Sequence, residues 1–295
     1  NVGDKVLAAT MGRLGSHVVT HQYFTVKKPN NLTFAEAAAI PTVFLTVYYG
    51  LKTLAKIKKG DRVLIHACAG GVGLAALQVA QHVGAEVYAT ASPGKWAFLK
   101  AQGVKHIMNS RTLDFADEIK TLTNGEGVDL VLNSINGECI PKSLDLLSEN
   151  GRFVEIGKID IWSKEQISEQ RPDVNYFVFD LTETFLGEPQ LLAQLLQEVA
   201  NDHQEGILKP LPLQTFPMHN VSAGFRHLAQ ARNIGKVVIT NPKDDLQNNP
   251  ITVNDEHSYL ITGGLGALGL AISESLIKQG ARHLVLTSRR APNEE

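Results

Sequence analysis

Short apolar runs alternate with longer amphipathic runs through the middle of this chain. The apolar runs predict strands at 63–65, 86–90, 106–108, 128–132, 153–156 and 176–179. Between them, apolar residues recur with the spacing of one helix face at 74–83, 94–102, 115–122 and 140–147. Such alternation is typical of right-handed βαβ crossovers. We therefore predict an α/β fold with a doubly wound parallel Rossmann sheet that helices cover on both faces.

Shorter strand patterns flank this region and divide the chain. They occur at 4–9, 16–20, 211–213 and 236–240. We predict a β-rich substrate-side domain from 1–45 and 207–240, and a nucleotide-binding Rossmann domain from 46–206. The polar stretch that follows is proline-flanked and has no periodicity, which predicts a linker at 241–256. A second strand, loop and helix pattern predicts a partial Rossmann unit at 257–295.

Each Rossmann pattern contains a glycine-rich loop between a strand and a helix. Glycines let the backbone approach a pyrophosphate, and the following helix offers free N–H groups and the positive end of its dipole. The second loop runs from 264 to 269. The first predicts a cofactor-binding loop made of Ala69, Gly70, Gly71, Val72 and Gly73. A tight turn without a ligand is the alternative interpretation.

Cations stand where an NAD site would carry an acid. An NAD site presents Asp or Glu about 20 residues after the loop, at the end of the next strand. Here Ser92 and Lys95 occupy that position, and Arg111 follows the strand after it. The second loop is likewise followed by Arg289 and Arg290. A hydroxyl and cations suit a 2′-phosphate, so the sequence predicts NADPH as the cofactor. The alternative for Lys95 is a solvated residue at a helix start.

Composition excludes several classes of protein. The chain has 295 residues, is 43% hydrophobic and 20% charged, and carries a formal net charge of -2. Near neutrality gives no basic field for nucleic acid or an anionic membrane, so we expect neither as a partner. Cys68 and Cys139 are too few for a disulfide framework or a structural zinc, which suits a reducing, cytoplasmic location. No run of about 18 apolar residues marks a membrane span.

Several motifs in order resemble one enzyme family. The motifs are PTVFLTVYY (41–49), AGGVG (69–73), ATASPGKW (89–96), DLVLNS (129–134), GRFVEIGK (151–158) and ARNIGKVV (231–238). With these motifs, residues 1 to about 240 resemble the medium-chain dehydrogenase/reductase superfamily, in particular the enoyl reductase domain of modular polyketide synthases and animal fatty acid synthase. The resemblance implies that hydride passes from NADPH to the β-carbon of an α,β-unsaturated thioester on an acyl carrier protein. It also implies a zinc-free site.

The resemblance assigns a proton-donor pair. Lys158 lies just beyond the predicted strand 153–156 and Gly157, and Asp180 ends the predicted strand 176–179. Ligands in open α/β sheets bind outside the carboxyl ends of the strands, so we expect Lys158 and Gly157 to face the nicotinamide crevice. In the fatty acid synthase reductase, the matching lysine and aspartate are the proposed proton donors. Ordinary strand-end charges are the alternative.

The end of another predicted strand supplies two more candidates. Asn133 and Ser134 follow 128–132, and their amide and hydroxyl are predicted to hydrogen-bond the nicotinamide or its ribose. A turn-forming pair is an equal alternative. The family's usual N-terminal strands, with the loop that carries a tyrosine donor in some relatives, are not among these residues. We therefore expect the GroES-like substrate-side domain to be incomplete.

Residues 257 to 290 resemble the opening βαβ unit of a polyketide synthase ketoreductase, a short-chain dehydrogenase/reductase. That family's catalytic serine, tyrosine and lysine lie downstream of this segment. An enoyl reductase followed by a ketoreductase is the domain order of a reducing synthase module, which implies neighbouring synthase domains as partners.

Three alternative functions share these features. The same hydride step can be followed by expulsion of a γ-leaving group, which forms a cyclopropane. A quinone or small-enone oxidoreductase belongs to the same superfamily. A non-catalytic nucleotide-binding fragment would keep the cofactor cleft without a working substrate side.

Overall fold

A short strand pair and two helices precede the main sheet. The computed structural model describes residues 1–10, 14–241 and 253–289. Strand β1 (Val6–Ala8) pairs antiparallel with β2 (Thr25–Lys27), and α1 (Phe34–Ala38) and α2 (Pro41–Val47) follow. The chain continues from α2 as a π-helix, Tyr48–Leu54. The strand predicted at 16–20 does not form, and the Thr20 hydroxyl donates to the carbonyl of Ala9 instead.

Six parallel strands form the main sheet. They are β3 (Arg62–Ile65), β4 (Glu86–Ala91), β5 (His106–Asn109), β6 (Val128–Asn133), β7 (Leu147–Glu155) and β8 (Asn175–Val178). Their order is β5-β4-β3-β6-β7-β8, so the direction of winding reverses between β3 and β6. This is the strand order of dinucleotide-binding folds, in which ligands bind at the reversal point. The prediction of a doubly wound parallel Rossmann sheet is confirmed.

Helices connect these strands and cover the sheet. They are α3 (Gly71–Val83), α4 (Trp96–Ala101), α5 (Phe115–Leu122), α6 (Cys139–Leu144), α7 (Lys164–Gln170), α8 (Leu181–Gly187) and α9 (Pro189–Gln204). A short 3-10 turn, Pro93–Lys95, precedes α4. The sequence pattern did not predict α7 and α8.

The two faces of the sheet bury separate apolar clusters. On β3, Val63 and Ile65 belong to the cluster formed with α2, α3 and α9, whereas Leu64 belongs to the cluster formed with α5 and α6. Successive side chains of a strand point to opposite faces, so a strand buried on both sides needs an unbroken apolar run. This explains why the apolar runs located the central strands.

A small parallel strand pair lies beside the glycine loop and ends at residue 240. Strand β9 (Leu213–Pro217) pairs with β10 (Lys236–Thr240), and α10 (Val221–Ala229) crosses between them. The predicted strand at 211–213 therefore begins later, at Leu213. The division of residues 1–240 into a substrate-side and a nucleotide-binding domain stays a prediction.

The chain divides into two compact units, Asn1–Thr240 and Asn241–Glu295. A βαβ arrangement forms the described part of the second unit. There β11 (Ser258–Thr262), α11 (Ala267–Lys278) and β12 (His283–Thr287) follow one another, and the two strands are parallel. Most of the predicted linker, and Arg290, lie outside the described residues. Among the described residues, no helix is both long and apolar enough to cross a lipid bilayer.

Candidate active site

The first glycine loop connects β3 to α3 through a tight turn. Gly70 occupies the N-cap position of α3 with an extended backbone, and no side chain caps the helix. The N–H groups of the first helical turn therefore receive no acceptor from the side chain of the N-cap residue. A Cβ at Gly73 would lie 2.5 Å from Cys68 Cα and 2.6 Å from the Ala67 carbonyl oxygen. Only glycine lets α3 begin this close to the turn. The first amides of α3 and the positive end of its dipole therefore face outward at the carboxyl end of β3.

Strand β10 packs against the same loop. The N–H of Gly235 donates to the carbonyl of Ala69 at 2.9 Å. A Cβ at Gly71 would lie 2.6 Å from Lys236 Cδ, so the lysine stem lies against the loop. Burial lowers the pKa of Lys236. The loop is therefore supported by the sheet behind it and by a strand more than 150 residues later in the chain.

A buried hydrogen-bond chain supports the start of the loop. The hydroxyl of Ser143 donates to the Cys139 carbonyl at 2.6 Å, so it accepts from His66 Nε2, which lies 2.8 Å away. The Thr90 hydroxyl accepts from the N–H of Ala67 and donates to His66 Nδ1 at 3.0 Å. Burial lowers the pKa of His66 to about 3, which keeps the ring neutral. His66 therefore ties the loop to β4 and α6 as an uncharged hydrogen-bonding group.

The residues predicted to hold a 2′-phosphate cluster at the ends of β4 and β5. Ser92 follows β4, and its carbonyl accepts from the N–H of Lys95 at 2.9 Å. The Lys95 ammonium donates to the carbonyls of Ala231 and Asn233 at 2.9 and 2.7 Å. Burial and, to a smaller extent, the charge of Arg111 lower the pKa of Lys95. The structure thus brings Lys95 and Arg111 together, but two of the three ammonium donors of Lys95 already have acceptors.

The predicted proton-donor pair is also brought together. The Lys158 ammonium donates to the Asp180 carboxylate, and the side chains are 66% and 30% exposed. Asp180 caps α8, because its other carboxylate oxygen accepts from the N–H of Thr182 at 2.6 Å. The hydrogen bonds from Lys158 and Thr182 lower the pKa of Asp180 to about 2. Asp180 is therefore ionised at neutral pH and keeps a negative charge beside the lysine.

Asn133 departs from its predicted contact with the nicotinamide. Its side chain is fully buried, and its amide donates to the Glu155 carboxylate at 2.6 Å and to the Ile135 carbonyl at 2.7 Å. Both N–H donors are thus committed inside the protein. Ser134, the next residue, is exposed at the carboxyl end of β6. A direct contact with a ligand stays a prediction for Ser134, whereas the Asn133 amide positions the loop.

Sequence reasoning missed Glu155. This residue is fully buried at the end of β7, and Oε1 accepts from the N–H of Gly157 at 2.6 Å. The available signal was one acid within the apolar run FVEI, just before a glycine. Buried carboxylates are rare unless they are hydrogen-bonded. An acid in a strand that is buried on both faces therefore indicates that hydrogen-bond donors lie beside it.

The second glycine loop repeats the construction within its own unit. A Cβ at Gly269 would lie 2.5 Å from Gly264 Cα, and the N–H of Gly264 donates to the carbonyl of Thr287 at 2.9 Å. Thr262, Gly263, Gly266, Thr287, Ser288 and Arg289 line a cleft at the carboxyl ends of β11 and β12. The predicted cation at Arg289 thus lies beside this loop.

Two family models match the chain. The model described as "Zinc-binding dehydrogenase" matches residues 102–239, and the model described as "KR domain" matches residues 257–295. The spectinabilin polyketide synthase system protein NorB of Streptomyces orinoci is 43% identical over 296 residues. That match covers 99% of this chain and 13% of NorB, so the chain spans a small part of a large relative.

Solved structures decide the family. The CurK enoyl reductase is 57% identical with a TM-score of 0.73, over 76% of this chain and 67% of that one. The chain belongs to the polyketide synthase enoyl reductases. A second member of this family, the CurF ER cyclopropanase from the curacin A biosynthetic pathway, is 49% identical with a TM-score of 0.74. The match covers 76% of this chain and 67% of the CurF chain.

The first glycine loop of this chain has the features of a nicotinamide dinucleotide site. Enoyl reductase and ketoreductase domains both bind such dinucleotides. The loop fits this group, because Gly73 lets α3 begin directly against the turn after β3, where the first amides of the helix can meet a pyrophosphate. A resident zinc does not fit the described residues of this chain, among which no group of three or more His, Cys, Asp or Glu side chains could hold a metal ion. Burial also raises the pKa of the Cys68 thiol to about 12, which opposes formation of a thiolate ligand.

Proposed function

We propose that this chain performs the NADPH-dependent reduction of an α,β-unsaturated acyl thioester carried by an acyl carrier protein, beside a ketoreductase in the same synthase. The observation that carries the proposal is the Lys158–Asp180 ion pair at the carboxyl edge of the parallel sheet. This edge is where open α/β sheets bind their ligands, and the glycine loop opens onto it two strands away.

The cofactor is proposed to lie across the edge with its phosphates at the ends of β3 and β4. The first-turn amides of α3 would hold the pyrophosphate, because the side chain of the N-cap residue offers them no acceptor. Ser92, the remaining donor of Lys95, and Arg111 would hold the 2′-phosphate. No acid stands at this position to select the unphosphorylated ribose. Gly157 and Ser134 would border the nicotinamide.

Lys158 is proposed to supply the proton. When bound, the nicotinamide cofactor supplies the hydride that adds to the β-carbon. The π-electron pair of the double bond then moves toward the thioester oxygen as an enolate. The α-carbon of that enolate takes a proton from the Lys158 ammonium, and the neutral amine regains one from water. Asp180 is ionised beside the lysine, so its negative charge attracts the Lys158 ammonium and holds it at this edge of the sheet.

A second outcome shares the hydride step. The CurF relative is named a cyclopropanase, and in that reaction type the enolate electrons expel a γ-leaving group and close a three-membered ring. This outcome needs no proton at the α-carbon. The Lys158–Asp180 pair in this chain therefore favours simple reduction, because a group poised for proton donation would be idle in ring closure.

The test uses the synthase module that contains this chain. NADPH or NADH is mixed with a carrier-bound crotonyl thioester, absorbance reports cofactor oxidation, and mass spectrometry reports the product. We expect NADPH to be preferred and the product to gain two hydrogen atoms. Free small enones turned over equally well would favour a quinone or enone reductase, and tight NADPH binding without oxidation would favour a non-catalytic unit.

A variant pair tests the proton donor. Removal of a general acid lowers rates roughly 100-fold or more, so we expect Lys158→Ala to lower kcat by about this factor. Lys164→Ala, an exposed lysine at the start of α7, is the matched control and should keep the wild-type kcat. An unchanged kcat in Lys158→Ala would remove Lys158 from the mechanism while leaving the reaction itself standing.

A further inference from the structure

One carboxylate holds the ends of two neighbouring strands. Glu155 is the last residue of β7 and pairs in register with Asn133, the last residue of β6. Its Oε2 accepts from the Asn133 amide and its Oε1 from the N–H of Gly157, each at 2.6 Å. The side chain is fully buried. The two turns that leave the sheet at this edge are therefore fastened to the same side chain.

The backbone around Glu155 reinforces this connection. The N–H of Ile156 donates to the Asn133 carbonyl at 3.0 Å, and the Asn133 amide also donates to the carbonyl of Ile135. A Cβ at Gly157 would lie 2.7 Å from Glu155 Oε1, so the turn passes directly over the carboxylate. Lys158 is the next residue after this glycine.

The groups that reach the Glu155 side chain are N–H donors, so each of its two oxygens serves as an acceptor. A carboxylate is the side chain of this shape that accepts at both oxygens. A glutamine in the same place would turn its own N–H₂ group toward one of the donors. One buried N–H would then lose its acceptor, and the turn would have to move to recover it. Burial raises the pKa of Glu155, and the hydrogen bonds from Asn133 and Gly157 oppose that rise.

The position of Lys158 depends on this turn. Its ammonium reaches the Asp180 carboxylate, which α8 fixes independently through the N–H of Thr182. Asp180 is held by the N-cap of α8 and not by the Glu155 turn, so movement of that turn displaces Lys158 relative to Asp180. We propose that Glu155 is a positioning residue that holds the Lys158 turn so that the ammonium meets Asp180 at the ligand edge of the sheet. Its part in catalysis rests on the proposed function of Lys158.

The kinetic test is a double-mutant cycle in the full synthase module. Glu155→Gln is compared with Glu149→Gln, the same chemical change at an exposed position on the same strand. We expect kcat to fall about tenfold in Glu155→Gln, as for one lost charge-assisted hydrogen bond, and to stay unchanged in the control. Because Glu155 acts through Lys158, adding Glu155→Gln to Lys158→Ala should cause no further loss. Equal losses in both backgrounds would overturn the proposal.

A second measurement does not depend on turnover. Acetylation by an activated ester, followed by mass spectrometry, reports how fast each lysine reacts. Loss of the ion pair should speed acetylation of Lys158 at least threefold in Glu155→Gln. Exposed Lys120 on α5 should be unaffected and serves as the internal reference. An unchanged acetylation rate of Lys158 in Glu155→Gln would overturn the positioning role. A wild-type module that reduced no thioester would refute only the proposed function, and the acetylation test would still apply.

A further variant covers failure of Glu155→Gln to fold. Gly157→Ala keeps the carboxylate but places a methyl group 2.7 Å from Glu155 Oε1, so the turn and the carboxylate must separate. We expect the same rise in Lys158 acetylation and the same lack of additivity with Lys158→Ala. Wild-type acetylation and full additivity in this variant would overturn the proposal.

Discussion

Replacing Gly73 by alanine tests how closely α3 packs on the turn after β3. The new Cβ would lie 2.5 Å from Cys68 Cα and 2.6 Å from the Ala67 carbonyl oxygen, and both atoms belong to the backbone. Ordinary contact begins at 3.4 Å, so helix and turn must separate by about 0.9 Å. Overpacking costs roughly 1–3 kcal/mol, and backbone yields less easily than a flexible side chain, so we expect about 3 kcal/mol.

Two measurements follow from this displacement. For a unit of this size, 1 kcal/mol changes Tm by about 2–4 °C, which predicts a decrease of about 6–12 °C in thermal unfolding followed by circular dichroism. The first-turn amides of α3 would also move away from the position proposed for the pyrophosphate. Loss of one hydrogen bond to a charged group costs roughly 1.5–3 kcal/mol, so Kd for NADPH should rise about 10- to 100-fold in a fluorescence titration.

A second glycine provides the matched control. Gly187 ends α8, and a Cβ there would meet no heavy atom within 4 Å. Gly187→Ala should therefore keep the wild-type Tm and the wild-type Kd for NADPH. If Gly73→Ala melts within about 1 °C of the wild type and binds NADPH equally well, the argument from close helix packing is refuted.

Three further predictions concern charge. Lys95→Met should raise Kd for NADPH about tenfold and leave Kd for NADH unchanged. The exposed control Lys100→Met should change neither Kd. An equal rise in Kd for both cofactors in Lys95→Met would show that Lys95 has a purely structural role. Because the pKa of Asp180 is lowered from 3.8 to about 2, its stabilising contribution is complete above pH 3.8 and is lost as the pH falls toward 2. The Tm difference between the wild type and Asp180→Asn should thus be constant from pH 5 to 8 and shrink below pH 4; a difference that changes near neutral pH would contradict this. Burial lowers the pKa of His66 from 6.5 to about 3, so the contribution of the neutral ring is complete above pH 6.5 and declines toward pH 3. The wild-type Tm should therefore fall more steeply than that of His66→Gln between pH 7 and 4, and equal slopes would argue against a buried neutral ring.

The sheet was predictable because its physical signal is local. Strands buried on both faces need continuous apolar runs, and β3 and β6 have them within a few residues. The glycine loop could also be predicted from the sequence, because a strand, closely spaced glycines and a helix follow one another there. The edge elements were harder to predict. The helices α7 and α8 were not predicted; among the described residues of α7 only Ile167 is buried, so its apolar pattern is weak.

The contacts of the site were less predictable, because they join residues far apart in the sequence. Lys95 was expected as a cation for a phosphate, but its acceptors lie 136 and 138 residues away in the turn before β10. Asn133 was assigned to a ligand because no local feature shows that Glu155, 22 residues later, pairs with it across the sheet. Strand register decides such contacts, and a single sequence does not state register for parallel strands.

The order of the strands places the residues proposed for cofactor selection and those proposed for proton transfer on opposite sides of one edge. Ser92 and Lys95 follow β4, the glycine loop follows β3, Lys158 follows β7, and Asp180 follows β8. A dinucleotide with its 2′-phosphate at β4 and its pyrophosphate at β3 can extend only toward β6 and β7, because the sheet continues in that direction past the reversal point. Its nicotinamide end is then expected beside the Lys158 turn that Glu155 holds. The two sides should therefore separate in kinetics: Lys95→Met should change the preference between NADPH and NADH with kcat retained at saturating cofactor, and Lys158→Ala should lower kcat with that preference retained. A variant on either side that changed both quantities together would contradict this arrangement.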